Sequence, residues 1–178
     1  VIKEKDISAE IHEVDLNAIP EEVKILSPYD EYPSLVDREL VLQNSRVIIE
    51  YLDERFPHPP LLPVDPISRA KFRLALNEIE HNWYSKYAEA YNDEVLDSKF
   101  VTEIKNYFLE IAPLIKKKFF MSDDFGLVDC SIAPLLWRLK SLDFDLAENN
   151  KVIGDYSERI FEREAFQDSL TETEKELF

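Results

Sequence analysis

Tyr51-Leu-Asp-Glu-Arg-Phe-Pro-His-Pro-Pro60 decides how this chain divides, because a helix has to stop there. Pro57, Pro59 and Pro60 lack the amide hydrogen and the φ freedom that a helix requires. The helix that contains Tyr51 and Leu52 therefore ends near Arg55. The same prolines predict a stiff, near-extended frame around His58, which a partner could order at little entropic cost. Such a frame suits recognition by another protein better than it suits chemistry. The boundary falls here, with an α/β unit over residues 1–59 and an all-helical unit over 60–178.

Ahead of the boundary, Ile7, Ala9, Ile11 and Val14 alternate, which predicts a strand with one buried face. Leu35-Val36 and Leu40-Val41-Leu42 predict two more strands around a turn at Asp37-Arg38. Pro20 to Leu26 reads as a short helix with Pro20 at its start. Asn44 or Ser45 is a good N-cap for the next helix, with Val47, Ile48, Tyr51 and Leu52 facing inward. Val1-Ile-Lys-Glu-Lys5 reads as the end of an amphipathic helix, so a segment is expected in front of it.

Behind the boundary the periodicity becomes helical. Asp65-Pro66 is an N-cap followed by a proline in the first turn. Phe72, Leu76, Ile79, Trp83 and Tyr87 recur at steps of three and four, and so do Val101, Ile104, Phe108 and Ile111 in a helix that Ser98 would cap. Pro113 shortens or kinks that helix. Leu127 to Leu139 is apolar almost all round, the mark of a helix at the centre of a bundle, with Pro134 inside it. Shorter helices are expected over 152–161 and 164–170.

Composition narrows the function. Of 178 residues, 45% are apolar and 12% aromatic, which suits a folded chain. Against 37 acidic residues stand 21 lysines and arginines, for a net charge of -16. A field of that sign repels nucleic-acid phosphates and anionic membranes, so neither is an expected partner. Lys116-Lys117-Lys118 is the one basic run, and it reads as a solvated helix end. The single cysteine, Cys130, excludes an internal disulfide, and three histidines at these separations make no zinc signature. No cofactor or metal is predicted. With no signal peptide and no apolar run near membrane-spanning length, a cytoplasmic location is expected.

The order of elements resembles the glutathione-transferase fold, a thioredoxin-like domain followed by an all-helical one. More narrowly, the chain resembles the bacterial stringent starvation protein A family. That resemblance rests on Pro33-Ser-Leu-Val-Asp-Arg-Glu-Leu40, Ile49-Glu-Tyr-Leu-Asp-Glu-Arg-Phe-Pro-His-Pro-Pro60, Asn82-Trp-Tyr84, Leu127-Val-Asp-Cys130, Ala133-Pro-Leu-Leu-Trp-Arg-Leu139, Phe161-Glu-Arg163 and Ser169-Leu-Thr-Glu172. Against the family pattern, the chain starts within the first helix without the first strand, and its loops near 93–99 and 116–121 look shortened. The resemblance implies a regulator that associates with RNA polymerase holoenzyme during starvation and stress, typically as a homodimer, without transferase catalysis.

It also implies roles for particular residues. Phe56, Pro57, His58 and Pro59 carry the family's surface motif and are the expected polymerase contact; the alternative is a rigid linker with an incidental histidine. Pro33, after Tyr32, corresponds to a proline with a cis preceding peptide beside the glutathione groove, and bulky Tyr32 would crowd that groove. Asn44 and Ser45 stand where glutathione-binding relatives carry an acidic residue and a serine. Asn44 cannot supply the charge, and capping explains Ser45. Gly126 and Asp129 are read as the cap of the buried helix. Cys130, Trp83 and Trp137 are read as packing, and His12 and His81 as surface residues. Two other readings stay open: a glutathione-binding transferase-like enzyme, and a non-catalytic transferase-like module of another assembly.

Overall fold

A computed structural model describes residues 1–15, 18–27, 32–87, 98–115, 117–141 and 144–176. The chain separates into two compact units, Val1–Pro59 and Pro60–Phe178.

In the first unit, a single 3-10 turn at Lys3–Lys5 is closed by Asp6 in the left-handed region. Then come α1 (Glu21–Leu26), β1 (Ser34–Asp37), β2 (Leu40–Gln43) and α2 (Ser45–Arg55). The strands form an antiparallel hairpin with Ser34 opposite Gln43 and Asp37 opposite Leu40. The turn is Arg38-Glu39, one residue later than expected, with Arg38 at a φ of 58°. Ile48 and Leu52 bury the inner face of α2.

Several expectations fail in this unit. Residues 7–14 form no strand among the described residues. Alternation marks a strand only when one face is covered and the backbone finds a partner, and Ile11 is 64% exposed. Pro20 caps α1 from outside instead of opening it. Val47 points outward, half exposed. It lies in the first turn of α2, ahead of the inward stripe.

Among the described residues, the named elements of the second unit are helices, α3 (Pro66–Glu78), α4 (Ser98–Ile111), α5 (Leu127–Ser141), α6 (Leu146–Asn149), α7 (Lys151–Phe161), α8 (Glu164–Gln167) and α9 (Glu172–Lys175), with one isolated antiparallel bridge between Phe119 and Ser122. Asp65 caps α3 by accepting from the Ser68 amide at 2.8 Å. The helix then runs on through a π-helical turn at Ile79–Tyr84, which the apolar spacing did not signal. That wider turn still carries Ile79 and Trp83 inward, and Trp83 meets Tyr107 edge-on at 4.5 Å. Pro113 does end α4 and forms a 3-10 turn, Ala112–Leu114.

Helix α5 is the centre of the unit. Leu127, Val128, Ile132, Leu135, Leu136 and Leu139 are all removed from solvent. Pro134 sits within it and deprives the Cys130 carbonyl of its helical donor. Burial pushes the Tyr84 hydroxyl up to about 12, and that hydroxyl donates to the Ser131 carbonyl at 2.8 Å. Helices α6 and α9 were not anticipated, and the segment expected over 164–170 is helical only to Gln167. Lys117 and Lys118 lie in a loop after Leu114, not at a helix end, with Lys117 paired to Asp123 at 3.1 Å. Lys116 and the residues 93–97 lie outside the described residues.

Candidate functional site

Two clusters of the first unit correspond to the candidate residues, and α2 separates them. At the N-terminal end of α2, the Ser34–Gln43 pairing brings Pro33 and Asn44 to the same end of the hairpin. The Tyr32–Pro33 peptide is cis. The Tyr32 hydroxyl is out of solvent and meets no hydrogen-bond partner among the described residues. Asn44, not Ser45, is the cap: its side-chain oxygen accepts from the Arg46 amide at 3.0 Å and the Val47 amide at 3.3 Å. Ser45 is the first helical residue and is exposed, so capping does not explain it.

The chemistry here is sparse. The Asn44 oxygen occupies amides that an anionic ligand at this helix end would otherwise use. Position 44 supplies no negative charge, and the first turn of α2 has no acidic residue. Nearby, the Tyr51 hydroxyl donates to Asp37 at 2.6 Å and Arg55 lies 3.6 Å from the same carboxylate. The Tyr51 bond, aided by Arg55, holds Asp37 below the usual carboxylate range, and the Asp37 bond lifts the Tyr51 phenol above its own. A phenol held to a carboxylate in this way is a poor nucleophile.

The second cluster lies at the other end of α2, eleven residues along, or roughly 16 Å at 1.5 Å per residue. Pro57, His58 and Pro59 are exposed, and Phe56 is half-buried under the Arg55 guanidinium, 5.4 Å from the ring centre. The His58–Pro59 peptide is cis. The backbone bends at His58 and Pro59, and the near-extended frame expected from three prolines is not what forms.

Beneath that loop lies a group the sequence did not reveal. The Lys5 ammonium, fully removed from solvent, donates to the Phe56 carbonyl and the Pro59 carbonyl, both at 2.6 Å, and pairs with Asp53 at 2.8 Å. A lysine 48 residues from its carboxylate leaves no local signal. Its one sequence trace is that Lys5 adjoins Ile2 and Ile7 in a segment otherwise rich in exposed charge.

In the helical unit, Asp129 is the cap expected, and more. One carboxylate oxygen accepts from the Gly126 amide at 2.8 Å; the other accepts from the Phe120 amide at 3.0 Å and the Tyr156 hydroxyl at 2.6 Å. Gly126 is fixed by space: a Cβ there would stand 2.9 Å from the Leu61 carbonyl oxygen and 3.3 Å from Phe72. A capping serine does not fit. His12 and His81 are exposed, and no cluster of metal-ligating side chains occurs among the described residues. One recess of about 80 Å³ is walled by Ala75, Ile79, Tyr107, Ile111 and Ile132. It offers no convergent polar groups. No described helix is long and apolar enough to cross a membrane.

Comparison with known proteins places these features in a family. Residues 1–60 match the glutathione S-transferase N-terminal domain and residues 64–164 the glutathione S-transferase C-terminal domain. The chain is 49% identical over 175 residues to a stringent starvation protein A homolog of Haemophilus influenzae, covering 97% of this chain and 82% of that protein. It is 46% identical over 182 residues to the homolog of Coxiella burnetii, covering 99% and 86%. Glutathione transferase Omega 3C of Trametes versicolor shares the fold, with a TM-score of 0.84 at 18% identity over 96% of this chain and 81% of that one. With both transferase domains matched in order and relatives of this identity along nearly its whole length, the chain belongs to the stringent starvation protein A family of glutathione-transferase-like proteins.

Proposed function

We propose that this protein is a transcription regulator that associates with RNA polymerase in the cytoplasm during starvation or stress, through Phe56, Pro57, His58 and Pro59, without transferase catalysis. The observation that carries this reading is the exposure of Pro57, His58 and Pro59 on one bent loop of a stringent starvation protein A family member. An imidazole between two proline rings offers stacking area and a hydrogen-bonding tip in one compact surface. The absence of catalysis is supported by Asn44, whose neutral amide caps its own helix where a ligand-binding relative would present a carboxylate.

The proposal extends to a homodimer. Val36 and Val41, partners across the hairpin and so on one face of it, are both exposed, an apolar pair that dimerisation would cover.

The test is capture of purified RNA polymerase on the tagged protein. Native protein is expected to retain polymerase and an untagged second copy of itself. The combined Pro57→Ala, His58→Ala and Pro59→Ala variant is expected to lose polymerase by more than about tenfold while its helical content and dimer mass stay native. Unchanged capture would place the contact elsewhere, and sedimentation at the monomer mass would remove the dimer. On immobilised glutathione the native protein should flow through. Retention that free glutathione releases would favour the transferase-like alternative.

A further inference from the structure

We infer that Lys5 is a positioning residue for the Pro57–Pro59 surface, a role that rests on the polymerase-docking reading of that loop. The reason lies in what the loop lacks. Of residues 57–60, three are prolines, so His58 alone has a backbone N–H. The loop has almost no donors with which to fix its own shape. Its carbonyls need donors from outside, and two of them receive one from Lys5: Phe56 at 2.6 Å and Pro59 at 2.6 Å. These two carbonyls bracket the Pro57-His58 pair that is offered to solvent.

The third proton of the ammonium points to Asp53, at 2.8 Å. An ammonium has three donors, and here all three are used. The side chains of Lys5 and Asp53 are 0% and 7% exposed, so water does not compete for these bonds and each is strengthened by the low local dielectric. Burying a charge is unfavourable unless it is fully paired and hydrogen-bonded. Packing alone would have been served by methionine at position 5. What the ammonium adds is a charged, three-point tie between α2 and both flanks of the exposed motif.

The experiment separates loop position from fold. Lys5→Met alone strands the Asp53 carboxylate and is expected to lower the melting temperature. Lys5→Met with Asp53→Leu removes that stranded charge. In the double variant, amide exchange in α2 and the hairpin should match native protein. The His58 Cε1–H resonance should shift or split, and polymerase capture should fall at least about tenfold. Asp53→Asn, which keeps both carbonyl bonds, should hold the native His58 resonance and native capture.

An unmoved His58 resonance in the double variant, or native capture by it, would reduce Lys5 to a packing role and overturn the inference. So would an Asp53→Asn protein that loses capture with its His58 resonance in place. If native protein captures no polymerase, the docking reading fails by itself, while the His58 resonance still decides whether Lys5 sets the loop.

Discussion

Asp129→Ala is expected to destabilise the helical unit by about 3–5 kcal/mol, because it leaves three donors without an acceptor. Those donors are the Gly126 amide, the Phe120 amide and the Tyr156 hydroxyl, and Asp129 and Tyr156 are both removed from solvent. Each buried donor left unpaired costs about 1–3 kcal/mol. A domain of this size has about 5–15 kcal/mol in total, so the variant should unfold at a much lower urea concentration. Asp129→Asn keeps one accepting oxygen but turns an NH₂ toward groups that are themselves donors. A loss of about 2 kcal/mol is expected for it.

The pH dependence follows from the same site. Burial raises the Asp129 carboxyl above its ordinary value of 3.8, and the bonds from Tyr156, Phe120 and Gly126 offset this only in part. A carboxyl raised in the folded state disfavours its own ionisation there. Its contribution is fully present below the unfolded value and is lost as pH rises through the folded one. Native protein should therefore hold its widest advantage over Asp129→Ala, which has neither a charge nor a donor there, near pH 3.5, and the gap should narrow toward pH 7. Urea midpoints of the two proteins across that range test the sign. A gap that widens with pH would mean that the three donors outweigh burial.

The sequence was most legible where a signal is local. Asp65-Pro66, the run from Phe72 to Trp83 and the buried helix from Leu127 each carry their start or their periodicity within a few residues. The helix stop before Pro57 is of the same kind. Legibility failed where the deciding contact was distant or steric. The alternation of Ile7 to Val14 could not report that the segment lacks a ladder partner among the described strands. The π-helical turn at Ile79–Tyr84 keeps the same residues inward as a regular helix would, so apolar spacing is blind to it. At the candidate site, the lack of a negative charge at position 44 was readable from one letter. That Asn44 and not Ser45 is the cap was not, because both residue types favour the position. Lys5 was invisible: no local rule distinguishes a lysine that will be buried beneath a loop more than fifty residues away from one that stays in water.

Gly154 shows a signal that was present but unread. The chain has only two glycines, and one of them stands in the middle of α7, where glycine is about 1 kcal/mol worse than alanine. Such a residue in a helix needs a reason, and here it is the approach of α6. A Cβ at position 154 would lie 2.6 Å from both the Cα and the Cβ of Ala147 and 3.0 Å from its nitrogen. Two of those three atoms are backbone, so no rotamer change relieves the clash and α6 itself must move. It is not free to do so: Leu146 is buried, and Asp145 holds the Glu148 amide at 2.8 Å. Overpacking of this kind costs about 1–3 kcal/mol and sometimes more. Gly154→Ala is therefore expected to lose about 2 kcal/mol after the propensity gain, and Gly154→Val about 4 kcal/mol. Pairing Gly154→Ala with Ala147→Gly removes the Cβ contact but leaves the Cα at 2.6 Å, so the double variant should recover less than half of the loss. Full recovery would show that side chains alone set the distance between the two helices, and a Gly154→Ala protein as stable as native would show that α6 yields freely.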